Sequence, residues 1–134
     1  MKKQSRFSFV SRLESIGHAA RGFRDMLLTE PNAWVHAVLT ILALDLAWWL
    51  HINHADFALI VISIVMVWVA EAFNTVLEIM ADLVVTPERY SRIVKRAKDI
   101  AAGAVLAASV GALTVGIIIL GPPLYHRLAP FLTG

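Results

Sequence analysis

Glu71, Asn74, Glu78 and Asp82 stand three or four residues apart, directly after fourteen residues without a charge, Phe57 to Ala70. On a helix turning 100° per residue, with Glu71 at zero, Asn74 falls at about 300°, Glu78 at about 340° and Asp82 at about 20°. Three carboxylates and an amide therefore share one helix face. In a membrane helix an ionisable residue costs about 2.5–3.5 kcal/mol on insertion scales, so such a column marks function. Carboxylates are hard oxygen ligands for Mg²⁺ and accept protons from hydroxyls. The pattern predicts metal-assisted chemistry where a span meets the membrane surface.

Two further groups fit that chemistry. Glu30 precedes the first apolar segment and Lys98-Asp99 opens the last. Phosphoryl transfer needs metal on the phosphate oxygens, cations against developing charge and a base for the attacking hydroxyl. One layer of this chain offers all three. Neither GxxxxGK[ST] nor GxGxxG occurs, which excludes a P-loop or protein-kinase loop, so a nucleotide would be held by side chains and metal.

The elements that must position these groups are membrane helices. Of 134 residues, 58% are hydrophobic and 16% charged, well below the roughly one quarter charged of a soluble domain. The reading is one domain, 1–134, too short for a soluble nucleotide-binding unit plus an anchor. With no Cys, disulfides and thiolate metal sites are out. Charges at Arg6, Arg12, Glu14, Arg21 and Arg24 leave no apolar core for a signal peptide. Spans are expected at 33–50, at 55–84 including a polar-striped extension, and at 98–120, where Gly121-Pro122-Pro123 should stop the helix. The short link His51–Ala55 makes the first two an antiparallel hairpin. Thr29-Glu30-Pro31-Asn32 should break the chain before the first span, and Thr86-Pro87 should end the second helix.

Six Lys or Arg precede the first span, five (Arg89, Arg92, Lys95, Arg96 and Lys98) lie between spans two and three, and Arg127 alone follows the last. The positive-inside rule puts the N-terminus and the second link in the cytoplasm. Residues 8–28 carry Phe9, Val10, Leu13, Ile16, Ala20, Phe23 and Leu27 at helical spacing, which predicts an amphipathic helix on that surface. Gly103, Ala107 and Gly111 have the small-xxx-small spacing of close helix packing, within one bundle or between subunits.

The blocks Glu71-Ala-Phe-Asn74-Thr-Val-Leu-Glu78-Ile-Met-Ala-Asp82 and Arg96-Ala-Lys98-Asp99-Ile-Ala-Ala-Gly103-Ala-Val, with Leu28-Thr29-Glu30-Pro31-Asn32 and His36 upstream, closely resemble the prokaryotic diacylglycerol kinase/undecaprenol kinase family. The resemblance covers roughly 8–121. It implies an all-α membrane protein of three transmembrane helices plus an N-terminal amphipathic surface helix, a homotrimeric bundle in the bacterial cytoplasmic membrane, using ATP and Mg²⁺ on a lipid alcohol. Carried onto this sequence, it makes Glu71 the proton acceptor for the lipid hydroxyl. Glu30 and Glu78 become Mg²⁺ ligands and Lys98 a contact to the ATP phosphates, with Asn74, Asp82 and Asp99 supporting them. Its surface helix makes Arg12, His18, Gly22 and Arg24 candidates for the nucleotide and lipid sites.

Ser11 stands where the diacylglycerol-specific branch has arginine, with Arg12 beside it, and His18 where that branch has tyrosine. Thr-Glu-Pro-Asn, His36 and Ala-Ala-Gly-Ala-Val are more like the undecaprenol kinase branch, so undecaprenol is favoured over diacylglycerol as acceptor.

Other charges read more plainly. Glu14 and Glu88 are solvated, and Arg89, Arg92, Lys95 and Arg96 set topology and attract anions. Lys98 alone would also fit a snorkelling anchor. Trp48 and Trp49 suit an interfacial belt, and His51, His54 and Asp56 a polar link. Asp45 lies within span one, with the trimer interior and the outer interface both open to it. A small oligomeric proton or cation channel is the rival function, yet a channel needs ionisable groups through the bilayer depth and these cluster at one end. A non-catalytic interaction subunit would not need Glu71, Asn74, Glu78 and Lys98-Asp99 together.

Overall fold

The computed structural model describes residues 9–84 and 92–132. They form four helices: α1 (Phe9–Thr29), α2 (Pro31–Trp49), α3 (His54–Val84) and α4 (Arg92–Leu132). Three are long and apolar enough to cross a membrane, over Pro31–Trp49, His54–Leu83 and Arg92–Phe131. Thr86-Pro87, Glu88 and Arg89 lie outside the described residues.

The expected break before the first span narrows to one residue. A proline disfavours helical backbone in the residue before it, and Glu30 is extended (φ −101°, ψ 114°) while Pro31 occupies the first turn of α2. The Glu30 N–H still closes on the Met26 carbonyl at 2.9 Å, and its own carbonyl accepts from Ala33 at 3.1 Å. Pro31 thus fixes a carboxylate at the corner between α1 and α2.

The α2–α3 link is equally determined. His51 takes the left-handed conformation (φ 52°). Its N–H donates to the Trp48 carbonyl at 3.0 Å, and the Ile52 N–H to that of Ala47 at 3.4 Å. These two bonds make a Schellman ending. Asn53 then caps α3, its Oδ1 accepting the Asp56 N–H at 2.9 Å and its Nδ2 donating to Asp56 Oδ2 at 2.6 Å.

The expected helix stop at Gly121-Pro122-Pro123 is corrected: α4 runs through both prolines, and Pro130, to Leu132. A proline's fixed φ of about −65° is helical, so the ring removes N–H donors without itself forcing an exit. At about 1.5 Å per residue, the 41 residues of α4 extend roughly 60 Å, twice the hydrocarbon thickness. The far end is tied back by the Arg127 guanidinium, 4.7 Å from the centre of the Trp49 ring.

Packing follows one stripe per helix. The stripe of α2 includes Ala33, His36, Thr40 and Ala47, and that of α3 runs Ile60, Ile64, Val67, Glu71, Asn74, Thr75 and Glu78. On α4 it runs Lys98, Ala101, Val105, Ala112, Val115 and Leu120. The spacings of three and four are those of one helix face. α3 and α4 make the most extensive contact. Ala47, Leu50, Ile60 and Leu120 form the tightest core, at the end away from Glu71.

Helices in lipid associate through close packing rather than water exclusion, so that core has little slack. Ala47→Leu should cost about 1–3 kcal/mol by overpacking. It should lower the denaturant midpoint in micelles while leaving Mg²⁺ dependence unchanged, because its site is remote from the carboxylates. Gly103 and Gly111 do not serve packing among the described residues, since a Cβ at either would meet none of their atoms within 4 Å. Asp45 is exposed on α2.

Candidate active site

The α3 stripe changes character at Glu71. Below it the seam is Ile60, Ile64 and Val67; above it come Glu71, Asn74, Thr75 and Glu78, of which the first three are buried. The polar column is therefore the core seam itself, continued with polar side chains. Glu71 is only 1% exposed. Facing it from α2 is the His36 imidazole, with Nε2 3.6 Å from Oε2. Neither Glu71 oxygen accepts a hydrogen bond among the described residues, and His36 Nε2 likewise has no such partner. A buried polar atom left unpaired costs about 1–3 kcal/mol, so the folded chain carries here a cost that a substrate hydroxyl could relieve.

Glu30 and Glu78 lie within electrostatic reach of Glu71. Both are half-buried. Asn74 Nδ2 donates to Glu78 Oε1 at 3.0 Å, which orients that carboxylate. One turn further on, Asp82 Oδ1 accepts from Lys98 Nζ at 2.7 Å, joining α3 to α4. Lys98 is half-buried but Asp82 is 72% exposed, so the pair is worth about 0–1 kcal/mol and its use is to place the ammonium. Asp99 is exposed beside it.

Of the residues expected here, the fold brings Glu30, Glu71, Asn74, Glu78, Asp82 and Lys98 to one end of the α2–α4 bundle. The other candidates stand on α1, which meets α3 through Phe23 and Trp68. Arg12, His18, Gly22 and Arg24 are exposed; His18 Nδ1 is 2.8 Å from Arg21 Nη2 in its own helix, and a Cβ at Gly22 would meet nothing within 4 Å. Arg12 is about 16 Å along the axis from Phe23, where α1 engages α3. Phe23 stacks on Trp68 with ring centres 4.9 Å apart.

Trp68 and Thr40 are the residues that sequence reasoning missed. The Trp68 Nε1–H donates to Thr40 Oγ1 at 3.1 Å, and the His36 ring stands edge-on to the indole at 6.2 Å. A signal existed: Trp68 precedes Glu71 by three and Thr40 follows His36 by four, so both share the faces already singled out. An open apolar groove of about 470 Å³ runs between α3 and α4, lined by Ala70, Phe73, Leu77, Ala97 and Ala101, with Asn74 on its wall.

Carboxylates suit Mg²⁺, which takes one or two of them together with phosphate oxygens and water. Among the described residues no group of three or more His, Asp or Glu side chains converges to hold a metal. Glu30 and Glu78 are two half-buried carboxylates at the same end of the bundle, a donor type that suits such an ion.

Comparison with known proteins places the chain in a family. A diacylglycerol kinase of Synechocystis is 35% identical over 112 residues, covering 84% of this chain but 63% of its own length. A diacylglycerol kinase of Escherichia coli is 27% identical, covering 84% and 90%. An undecaprenol kinase of Bacillus subtilis is 30% identical over 111 residues, covering 83% and 89%. The family model described as prokaryotic diacylglycerol kinase matches residues 17–120, a span that holds every carboxylate of the column together with Glu30 and Lys98, and the chain belongs to that family.

Proposed function

We propose that the chain is a lipid kinase, transferring the γ-phosphoryl group of ATP to the hydroxyl of a membrane lipid alcohol at the cytoplasmic surface. The observation that carries the reading is Glu71: a buried carboxylate with both oxygens free of hydrogen bonds among the described residues, set where an apolar seam gives way to half-buried carboxylates. That is where a lipid headgroup hydroxyl meets a nucleotide arriving from water. The family membership and the names of its relatives support the same activity.

In this mechanism the Glu71 carboxylate takes the proton as the lipid O–H bond breaks. The lipid oxygen bonds to the γ-phosphorus, and the bond from that phosphorus to the β–γ bridging oxygen breaks, leaving ADP with the electron pair. Mg²⁺, when bound with the triphosphate, neutralises charge on the phosphate oxygens. Glu30, fixed by Pro31, and Glu78, oriented by Asn74, would hold it. Lys98, placed by Asp82, faces the phosphates as a point charge. Asp99 extends that polar layer. The apolar α3–α4 groove beside Asn74 suits a hydrocarbon tail.

α1, with Leu13, Ile16 and Leu28 exposed, lies in this reading on the membrane surface with that face in the lipid. Arg12, His18, Gly22 and Arg24, exposed on α1, then serve the nucleotide and lipid sites of a homotrimer. Undecaprenol is placed ahead of diacylglycerol on Thr29-Glu30-Pro31-Asn32, His36 and Ala101-Ala-Gly-Ala-Val105. The relatives carry both names at similar identities and do not weigh on that choice. Among the described residues the carboxylates of α3 stand together between Glu71 and Asp82, with no ionisable group between Asp56 and Glu71, so the channel reading lacks a row of polar groups through the depth of the span.

The test is label transfer from γ-labelled ATP, with Mg²⁺ in mixed micelles, to undecaprenol and to diacylglycerol offered separately. Label on either lipid is the expected result, stronger on undecaprenol. No label on either, from folded protein, would overturn the kinase reading.

A further inference from the structure

We propose that His36 is a positioning residue for the Glu71 carboxylate, and that its imidazole is itself aimed by an aromatic buttress reaching from α1. The proposal rests on the reading of Glu71 as the base. His36 Nε2 lies 3.6 Å from Glu71 Oε2, with the two side chains 12% and 1% exposed. That is just beyond hydrogen-bond length, and a small rotation of either side chain closes it. Each atom lacks another hydrogen-bond partner among the described residues, so none of them competes for the contact.

The buttress is built from pairs one helical turn apart. His36 and Thr40 on α2 face Trp68 and Glu71 on α3. The Trp68 Nε1–H to Thr40 Oγ1 bond of 3.1 Å pins the indole, and the His36 ring meets it edge-on at 70°. Phe23 of α1 packs on the same indole, tilted at 49°. The indole thus borders one side of the imidazole, and Phe23 in turn borders the indole.

A carboxylate has two oxygens and roughly four acceptor directions. Buried with no donor, its plane is free to turn, and a base that turns is aimed at the hydroxyl only part of the time. An imidazole N–H on Oε2 fixes the plane and leaves Oε1 for the lipid. The tautomer required is the one protonated at Nε2, which neutral histidine supplies.

The experiment uses the full chain in mixed micelles with γ-labelled ATP and whichever lipid it phosphorylates. His36→Ala should lower kcat by about 10–100-fold, the size of effect expected from a misplaced catalytic group, while KM for lipid and for Mg-ATP stays within about twofold. His36→Gln carries an amide N–H near the position of Nε2 and should recover about tenfold of the loss. His36→Asn, one bond shorter, should not. In a Glu71→Asp background, where the carboxylate is already withdrawn, His36→Ala should cost no more than about threefold, the non-additivity of two groups acting as a unit.

Wild-type kcat in His36→Ala, alongside an inactive Glu71→Gln, would overturn the role of His36 and leave the base reading standing. A near-normal Glu71→Gln would overturn the base reading and this one with it. A loss that Gln does not recover, and that is as deep in the Asp background, would make His36 a packing residue only. Should the Ala variant fail to fold, the contrast between Gln and Asn decides the same question: recovery in Gln alone supports positioning, and equal loss in both overturns it.

Discussion

Glu71→Gln is expected to abolish most turnover, by about 10²–10⁴-fold in kcat, the contribution of a positioned general base, while the protein folds at least as well as the parent. The two halves of that result have one cause. The carboxylate is 1% exposed, neither oxygen accepts a hydrogen bond among the described residues, and two further carboxylates lie within electrostatic reach. Holding a charge there opposes folding. The amide keeps the shape, removes the charge and offers a donor, so the stability lost to function is returned when function is removed. The measurements are kcat by label transfer and the denaturant midpoint in the same micelles. A variant with a near-normal rate would remove Glu71 from the chemistry. A variant both inactive and much less stable would show the carboxylate to be structural.

The second large effect is expected at Glu78. Its carboxylate is held by Asn74 at 3.0 Å and sits on the water side of Glu71, about 10 Å along the helix. Glu78→Ala should raise the Mg²⁺ concentration for half-maximal rate by about tenfold, the loss of roughly 1.4 kcal/mol in ion affinity, and should lower kcat at saturating metal. Asp82→Asn is the control: that group is largely solvated and paired with Lys98, so it should move the metal midpoint little. Titrating rate against Mg²⁺ at fixed ATP separates the two. An unmoved midpoint in Glu78→Ala would exclude it as a ligand.

The column was legible because one periodicity governs both packing and chemistry on α3. Glu71, Asn74 and Glu78 share the stripe of Ile60, Ile64 and Val67, so the spacing of the column is also that of the packed face, with Asp82 at its exposed end. Glu30 was legible for a different reason. Its proline neighbour fixes its backbone through local sterics, which sequence states directly. What spacing along one helix does not state is which side chains arrive from another. His36 was noticed as a motif residue, but its approach to Glu71 depends on how α2 lies on α3, and so do the Trp68–Thr40 bond and the Phe23 stack. The proline stop failed through a related blindness. Proline opposes helix by removing a donor and crowding a carbonyl, yet its own φ is helical, and α4 continues past Pro122 and Pro123 to Leu132. The outward set of Gly103 and Gly111 shows the same limit, since small-residue spacing marks a face without naming what lies opposite.

The link between α2 and α3 carries a consequence for biogenesis. It is closed by its own backbone, with the Schellman bonds of His51 and Ile52 on one side and the Asn53–Asp56 cap on the other. It contains no Lys or Arg. A connection that satisfies its own polar groups and carries no fixed positive charge meets a small barrier to translocation. α2 and α3 are therefore suited to enter the bilayer as one preformed hairpin rather than one after the other. Glu71 and His36, on facing sides of that hairpin, would then be desolvated against each other during insertion, before α4 is in place. The newly made chain would carry that carboxylate into the membrane boundary already beside the imidazole that can donate to it.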